Sequence, residues 1–380
     1  MKLLRNFKRN KSIEYRGVKV IMNVLISVLS PLYQNGIVNV LLNYIKYIDK
    51  ENINVTITCI ESNDKKFISI FEELGCRVIE LPNRKKNILA YIREYNKITK
   101  NNFDVVHING NSATMVIELY ISKRNKILKR IAHSHNSTTS YPILHKCLSP
   151  FLNKYITDAI ACSELAGDWI FNKKFKILKN AIDVERYKFN EEIRLKYREE
   201  LNIEDDIVIG QVARFNEQKN HEFTLKLFKE FKRNNKKSKL ILVGIGPLLE
   251  EIKDKVNQMA LQEDIIFLEE RSDVPQLMQA FDILILPSKW EGLGMVLMEA
   301  QATGLPCCAS DNVPKDVEIS PIIKRINLDI NDWIKSMNEL LVLEGQRIKY
   351  STDAQKSLKY YGYSICNEAK KLQEIYQQNK

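Results

Sequence analysis

No stretch of this chain approaches eighteen consecutive apolar residues, so nothing in it reads as a membrane-spanning helix. No C-x-x-C pair occurs. The seven cysteines, Cys59, Cys76, Cys147, Cys162, Cys307, Cys308 and Cys366, are odd in number and scattered, and adjacent Cys307–Cys308 is a poor metal spacing. That argues against a disulfide framework and a structural zinc site; the pattern reads as reduced cytosolic thiols, mostly in apolar settings. Glycine and proline are sparse, 13 and 10 in 380 residues, which excludes collagen-like and low-complexity sequence. Neither G-x-G-x-x-G nor a Walker A loop is present, so a nicotinamide or P-loop site is not expected. The first 21 residues are basic, but their apolar part is too short and interrupted for a secretory signal. They read as a basic arm: frayed, membrane-adhering, or upstream of the natural start.

What is present is ordinary globular sequence, 44% hydrophobic and 28% charged, long enough for two domains. The net charge of 58 − 47 = +11 suits a nucleic acid, an anionic membrane surface or a phosphorylated small molecule. No aromatic–basic interleaving supports nucleic acid, so none is expected as a partner. Strand-length apolar runs alternate with helix-period stretches. In the first half, strands are expected at 23–30, 54–60, 76–81, 103–108, 129–135 and 158–163, with helices at 36–48, 65–75, 88–102 and in MVIELYISKRN. In the second half, strands are expected at 206–213, 239–244, 265–269, 282–287 and 306–310, with helices at 220–234, 248–260, 274–280 and 294–304. This predicts an α/β protein: two Rossmann-like, doubly wound domains facing each other across a cleft, with ligands at the C-terminal ends of the strands. The expected organisation is a basic arm over 1–21, a first domain over 22–185, a hinge near 183–200, a second domain over 186–357, and a C-terminal helix over 358–380 packing back across the domains.

The candidate site residues cluster at such strand ends. Arg214 and Lys219 in ARFNEQKN place two cations in a strand-to-helix loop, suited to clamping a diphosphate. Gly244 and Gly246 follow the strand KLILV and permit close backbone approach. In SKWEGLGMVLMEA, Gly292, Leu293, Gly294 and Met295 form a turn that a helix N-terminus would face. Glu291 and Glu299 are suited to accepting hydrogen bonds from sugar or ribose hydroxyls. Each has a plainer reading: Glu291 as an acid at a helix start, Glu299 as a solvent-facing helix residue, and Met295, Leu297 and Met298 as core. In the first half, His107 reads as a packed strand-end histidine, while His133 and His135 alternate onto one side. A metal pair there lacks a third ligand, and no metal is expected. A histidine at the cleft is placed to bond a hydroxyl or phosphate and to titrate near neutrality. His145 and His221 read as peripheral, Asp183 as a structural Asx turn beside Asn180, and Gly36 as either a turn glycine or a phosphate-proximal one.

Taken together, ARFNEQKN, VGIGP, EGLGMVLMEA with its E-x7-E spacing, N-A-I-D at 180–183, AHSHN and DVVH resemble the retaining GT-B glycosyltransferases of family 4, and among them the bacterial exopolysaccharide or capsule transferases. The likeness covers residues 22–375. It implies a nucleotide-sugar donor, most often UDP-linked, as co-substrate, with no other cofactor and no metal. It also implies a glycan acceptor on a polyprenyl diphosphate at the cytoplasmic membrane face. Arg214 and Lys219 would bind the diphosphate, Glu299 the ribose, Glu291 the transferred sugar, and the backbone of 292–295 sugar and phosphate. His135 would lie near the reacting sugar, and Gly36 near the phosphates. The chain departs from the pattern at Asn35-Gly36, with Val38 in an acidic position, and at Leu293 in place of an aromatic residue. The basic run 121–130 and the apolar, basic run 141–156 offer a face for anionic lipid, or a solvated helix with core packing. The alternatives are a non-catalytic nucleotide-sugar- or glycan-binding protein, a regulatory protein, and a same-fold nucleotide-sugar epimerase.

Overall fold

The computed structural model describes residues 21–33, 36–61, 65–136, 139 and 142–378. The expected basic arm, save Ile21, and Asn35 beside Gly36 lie outside the described residues. The chain divides into unit 1, Met1–Leu178 with Lys370–Lys380, and unit 2, Lys179–Ala369.

Unit 1 runs β1 (Met22–Val28), α1 (Gly36–Tyr47), β2 (Ile53–Ile60), α2 (Lys66–Glu73), β3 (Arg77–Leu81), α3 (Ile88–Thr99), β4 (Val105–Gly110), α4 (Val116–Arg124), β5 (Lys129–Ser134), α5 (Pro142–Tyr155), β6 (Asp158–Ala161), α6 (Glu164–Ile170) and β7 (Lys176–Ile177). Its sheet is parallel, in the order β3-β2-β1-β4-β5-β6-β7. Unit 2 runs α7 (Glu191–Glu200), β8 (Ile207–Val212), α8 (His221–Asn234), β9 (Ser238–Val243), α9 (Leu249–Gln258), β10 (Ile265–Leu268), α10 (Val274–Ala280), β11 (Ile283–Leu286), α11 (Met295–Ala302), β12 (Cys307–Ser310), β13 (Ile323–Ile326), α12 (Ile330–Leu341), α13 (Arg347–Tyr360) and the start of α14 (Ile365–Gln377). Its parallel order, β10-β9-β8-β11-β12-β13, repeats that of the first six strands of unit 1. Both units are therefore Rossmann-like and doubly wound. In each, the strand order reverses beside the first strand, at β1/β4 and at β8/β11. Such switch points are where open α/β sheets bind ligands.

The continuous apolar runs are explained by burial on both faces. Along β9, Ile241 and Val243 join one core cluster while Leu240 and Leu242 join another. Along β11, Leu284 and Leu286 part from Ile283 and Ile285 in the same way, and Cys307 and Cys308 face opposite sides of the sheet. Each such fully buried aliphatic side chain contributes about 1.5–3 kcal/mol.

Several elements differ from expectation. The units divide after Leu178, and residues 191–200, expected within a hinge, form α7 of unit 2. Its sequence, EEIRLKYREE, carries almost no apolar stripe because it buries arginines. Arg194 and Arg198 reach Asp282 at 2.5 and 3.2 Å, and Arg198 also caps the Ala280 carbonyl at 2.9 Å. Strands β7 and β13 and helix α12 were likewise not expected.

Candidate functional site

In unit 2 the loops leaving β8 and β11 lie at the switch point and are joined to each other. The first makes a short 3-10 turn over Glu217–Lys219, capped by Asn216, whose side chain accepts from the Lys219 amide at 3.2 Å. Asn220 takes the left-handed conformation and starts α8. The Gln211 amide donates to the Lys219 carbonyl at 3.0 Å and accepts from Thr224 at 2.7 Å, which fixes the turn on the strand. Across to the second loop, the Lys289 amide donates to the Gln218 carbonyl at 2.8 Å, and the Gln218 side chain donates to the Trp290 carbonyl at 2.9 Å.

These bonds bring two expected site residues together. Lys219 Nζ forms an ion pair with Glu291 Oε1, which also accepts from Ser288 Oγ at 2.7 Å. The side chains are 18% and 7% exposed, so the pair is sheltered from screening but Lys219 remains reachable. Glu291 is therefore tied to a lysine and a serine, and it lies before the first turn of α11, which holds no acid. Arg214 stands exposed on the same loop.

The glycines are explained partly by the chain itself. A Cβ on Gly244, at φ +137°, would meet the Ala213 carbonyl oxygen at 2.2 Å, and one on Gly246 would meet that of Phe215 at 2.3 Å. Both are needed for the β9 loop to lie against the backbone of the Arg214 loop. Gly292 is exposed with open space at its Cβ position, whereas Gly294, at φ +80°, is the N-terminal boundary of α11. Gly294 has no side chain with which to cap α11. Leu293 and Met295 are half-buried and pack against the core of unit 2. Glu299, on the second turn of α11, is half-buried rather than solvent-facing. Burial pushes its carboxyl up to about 7, against the opposing pull of the Tyr187 hydroxyl, which donates to it, and of Arg186. Asp183 has a local structural role, its side chain accepting from the Arg186 amide three residues on at 3.2 Å.

In unit 1, β4 and β5 are in parallel register with Asn109 opposite His133. His107 and His133 are buried; His135, just beyond β5, is half-buried and its Nε2 donates to Asn109 Oδ1 at 2.8 Å. Burial lowers His135 to about 4, so the expectation that it titrates near neutrality is corrected: it is a neutral imidazole at pH 7. Gly36 begins α1, exposed, with open space at its Cβ position. The two histidines read as peripheral to the site are buried in packing positions. His145 is 7% exposed, accepts from the Ala113 amide at 3.2 Å and stacks on Trp169. His221 is 3% exposed and stacks on Phe215 at 4.1 Å. Among the described residues, no three His, Cys, Asp or Glu side chains are grouped so as to hold a metal ion.

Sequence reasoning missed Asn109, Tyr187, Ser288 and Gln218. Asn109 had a signal, because it lies two residues beyond His107 on one strand and so on the same face. Tyr187 and Gln218 had none, since their partners lie 112 and 73 positions away.

Residues 193–355 match the family model for glycosyl transferases group 1. The Bacillus subtilis protein EpsF, which carries the name of a glycosyltransferase, is 30% identical over 332 residues, 82% of this chain and 86% of that protein. The Escherichia coli UDP-Gal:alpha-D-GlcNAc-diphosphoundecaprenol alpha-1,3-galactosyltransferase is 23% identical over 373 residues, 92% of this chain and 95% of that protein. Among solved structures, Anabaena Alr3699/HepE in complex with UDP shares the fold at a TM-score of 0.76 and 17% identity, covering 93% of this chain and 99% of that one. With both sheets, both switch points and these likenesses in agreement, the chain belongs to the glycosyl transferases group 1 family, as a GT-B-fold glycosyltransferase related to those of bacterial exopolysaccharide and capsule synthesis.

Proposed function

We propose that the protein transfers a sugar from a UDP-sugar to a growing glycan on a polyprenyl diphosphate, with retention at the anomeric carbon and without a divalent metal. The observation that carries this is the joined pair of loops at the β8/β11 switch point, where Lys219 pairs with Glu291 next to the open turn at Gly292, and Arg214 stands exposed on the same loop as Lys219. The C–O bond to the leaving diphosphate breaks and negative charge grows on its oxygens. Arg214, the two remaining Lys219 N–H donors and the uncapped start of α11 stabilise that charge. The acceptor hydroxyl attacks the same face of the sugar, and its proton passes to the departing phosphate oxygen. Glu291, already held by Lys219 and Ser288, positions the lysine and the sugar; its engaged carboxylate is a poor nucleophile. Glu299 accepts from the ribose hydroxyls, His135 of unit 1 contacts the transferred sugar, and Gly36 leaves room near the phosphates.

The acceptor's lipid requires a membrane surface, in this reading the cytoplasmic face. No described helix is long and apolar enough to cross a membrane. Helix α5 instead exposes Ile143, Cys147 and Phe151 at four-residue spacing, with Lys146 and Lys154 alongside, and Ile143 is 82% exposed. Such a ridge suits peripheral contact with anionic lipid.

The test is a thermal-shift panel of UDP, UDP-glucose, UDP-galactose, UDP-N-acetylglucosamine, GDP-mannose and NAD, followed by turnover with a lipid-linked acceptor in the presence of EDTA. Stabilisation by UDP compounds and not NAD, with an axial product linkage read by proton NMR, supports the proposal. No response to any UDP compound would sink it, and donor turnover without acceptor would identify an epimerase instead.

A further inference from the structure

The strand ends of unit 1 hold more polar machinery than one histidine. Tyr376, near the end of α14, places its hydroxyl 2.7 Å from His107 Nδ1, and His107 Nε2 lies 3.2 Å from His133 Nδ1. The His107 and His133 rings stack at 5.2 Å between centroids, and those of His133 and His135 approach to 4.0 Å. His135 Nε2 in turn meets Asn109 Oδ1 at 2.8 Å. Tyr376, His107, His133 and Asn109 are all 2–3% exposed.

The hydrogen bonds determine where each proton sits. Burial keeps the three imidazoles neutral at pH 7, so each carries one N–H. The buried Tyr376 hydroxyl has no other acceptor among the described residues, so it donates to His107 Nδ1. His107 is then protonated on Nε2 and donates to His133 Nδ1, which leaves the His133 proton on Nε2. Asn109 Oδ1 only accepts, so His135 is protonated on Nε2 as well. Two atoms on neighbouring rings remain, a donor at His133 Nε2 and an acceptor at His135 Nδ1. Both are buried and without a partner among the described residues, as is Asn109 Nδ2. Unmade bonds of this kind are costly. A hydroxyl, which donates and accepts at once, satisfies the ring pair in a single contact.

We propose that Tyr376, His107 and Asn109 are positioning residues that fix the tautomers of His133 and His135, so that the two rings present a donor–acceptor pair to one hydroxyl of the transferred sugar. This rests on the reading of His135 as a sugar contact. It adds His133 to the contacting set, and brings in a tyrosine 269 positions from the histidine it holds.

The test uses the full chain labelled with nitrogen-15 in its five histidines, without ligand, at pH 7. Two-bond nitrogen–proton correlation spectra report which ring nitrogen carries each proton, and single His→Gln variants assign the signals. The expected result is the Nε2–H tautomer at His107, His133 and His135. Tyr376→Phe then spreads His107 and His133 over both tautomers and leaves His135 unchanged, while Asn109→Leu does the reverse. An Nδ1–H tautomer at His133 or His135 in the unmodified protein overturns the proposal whether or not any variant folds. Tautomers unmoved in a folded Tyr376→Phe protein overturn it as well. In transfer assays with whichever of UDP-glucose, UDP-galactose or UDP-N-acetylglucosamine is turned over, Tyr376→Phe lowers kcat about tenfold, the effect of roughly one net hydrogen bond, with donor KM held within about twofold. Loss confined to KM contradicts the proposal. UDP binding tests unit 2 separately: its failure removes the donor reading and leaves the tautomer result standing, whereas wrong tautomers with intact UDP binding remove this proposal alone.

Discussion

Replacing Glu299 by glutamine is expected to stabilise the ligand-free protein above neutrality and to weaken its hold on UDP at the same pH. Both effects follow from one half-buried carboxyl raised from 4.5 to about 7. Between those values the native state holds a proton that the unfolded chain has released. Stability from this group is therefore fully present below 4.5 and is lost as pH rises through 7. At about 1.4 kcal/mol per tenfold in proton affinity, the span amounts to about 3 kcal/mol by pH 8. Glutamine keeps an oxygen for the Tyr187 hydroxyl and has no charge to bury. The stability difference between Glu299→Gln and the parent protein should thus be about 2–3 kcal/mol more favourable to the variant at pH 8 than at pH 5. Comparing two pH values cancels any fixed effect of the exchange. Urea unfolding followed by tryptophan fluorescence measures it, because Trp333 is fully buried in unit 2. A difference between the two pH values below about 0.5 kcal/mol would refute the buried-carboxyl argument. UDP binding should move the other way. A ribose hydroxyl donates best to the carboxylate, so parent affinity rises from pH 6 to pH 8, while the variant binds about tenfold or more weakly with little pH dependence. A variant that binds UDP like the parent at pH 8 removes Glu299 from the ribose.

Three further outcomes are expected. Lys219→Met leaves Glu291 sheltered without its cation and costs about 1–3 kcal/mol in urea unfolding; adding Glu291→Gln recovers most of that stability but not UDP affinity, a double-mutant cycle that separates fold from function. Gly246→Ala drives a methyl group into the Phe215 carbonyl and lowers stability by about 1–3 kcal/mol, roughly 5 °C in a melting scan. Asp282 is buried, which opposes its ionisation, yet Arg194, Arg198 and the Val208 amide prevail and hold it below its ordinary 3.8. Its contribution is present above 3.8 and lost as pH falls through the lower native value, so Asp282→Asn costs about 3–5 kcal/mol at pH 7 and flattens acid unfolding monitored by circular dichroism.

Much of the fold was legible because parallel sheets covered on both faces leave unbroken apolar runs. In β9 and β11 every residue from Leu240 to Val243 and from Ile283 to Leu286 is buried, and no solvent-exposed alternation blurs the signal. Legibility failed where polar residues do the packing. Helix α7 is held to unit 2 by Arg194 and Arg198 reaching carbonyls and Asp282, so its charge pattern looks like linker. Helix α12 was readable but unread: Asp329 caps it, and Trp333, Met337 and Leu340 recur at helical spacing. Strand β13 is half-buried throughout and short, with two cations, which conceals it.

The site shows the same division between what spacing reveals and what only tertiary contacts decide. Glu291 and Glu299 are the same residue type, eight positions apart around one helix start, and sequence marks both as acids near a ligand. Their chemistry differs because of partners no local pattern indicates. Lys219, 72 positions from Glu291, neutralises that carboxylate directly. Glu299 meets Tyr187 and a low-dielectric helix face, and its proton affinity rises instead. One acid is thereby committed to holding a cation in place, and the other sits near the pH at which it changes state. A substitution series treating the two as equivalent acids would therefore find opposite stability effects. Removing charge at Glu299 relieves a buried carboxylate, while removing it at Glu291 strands Lys219 beside an amide.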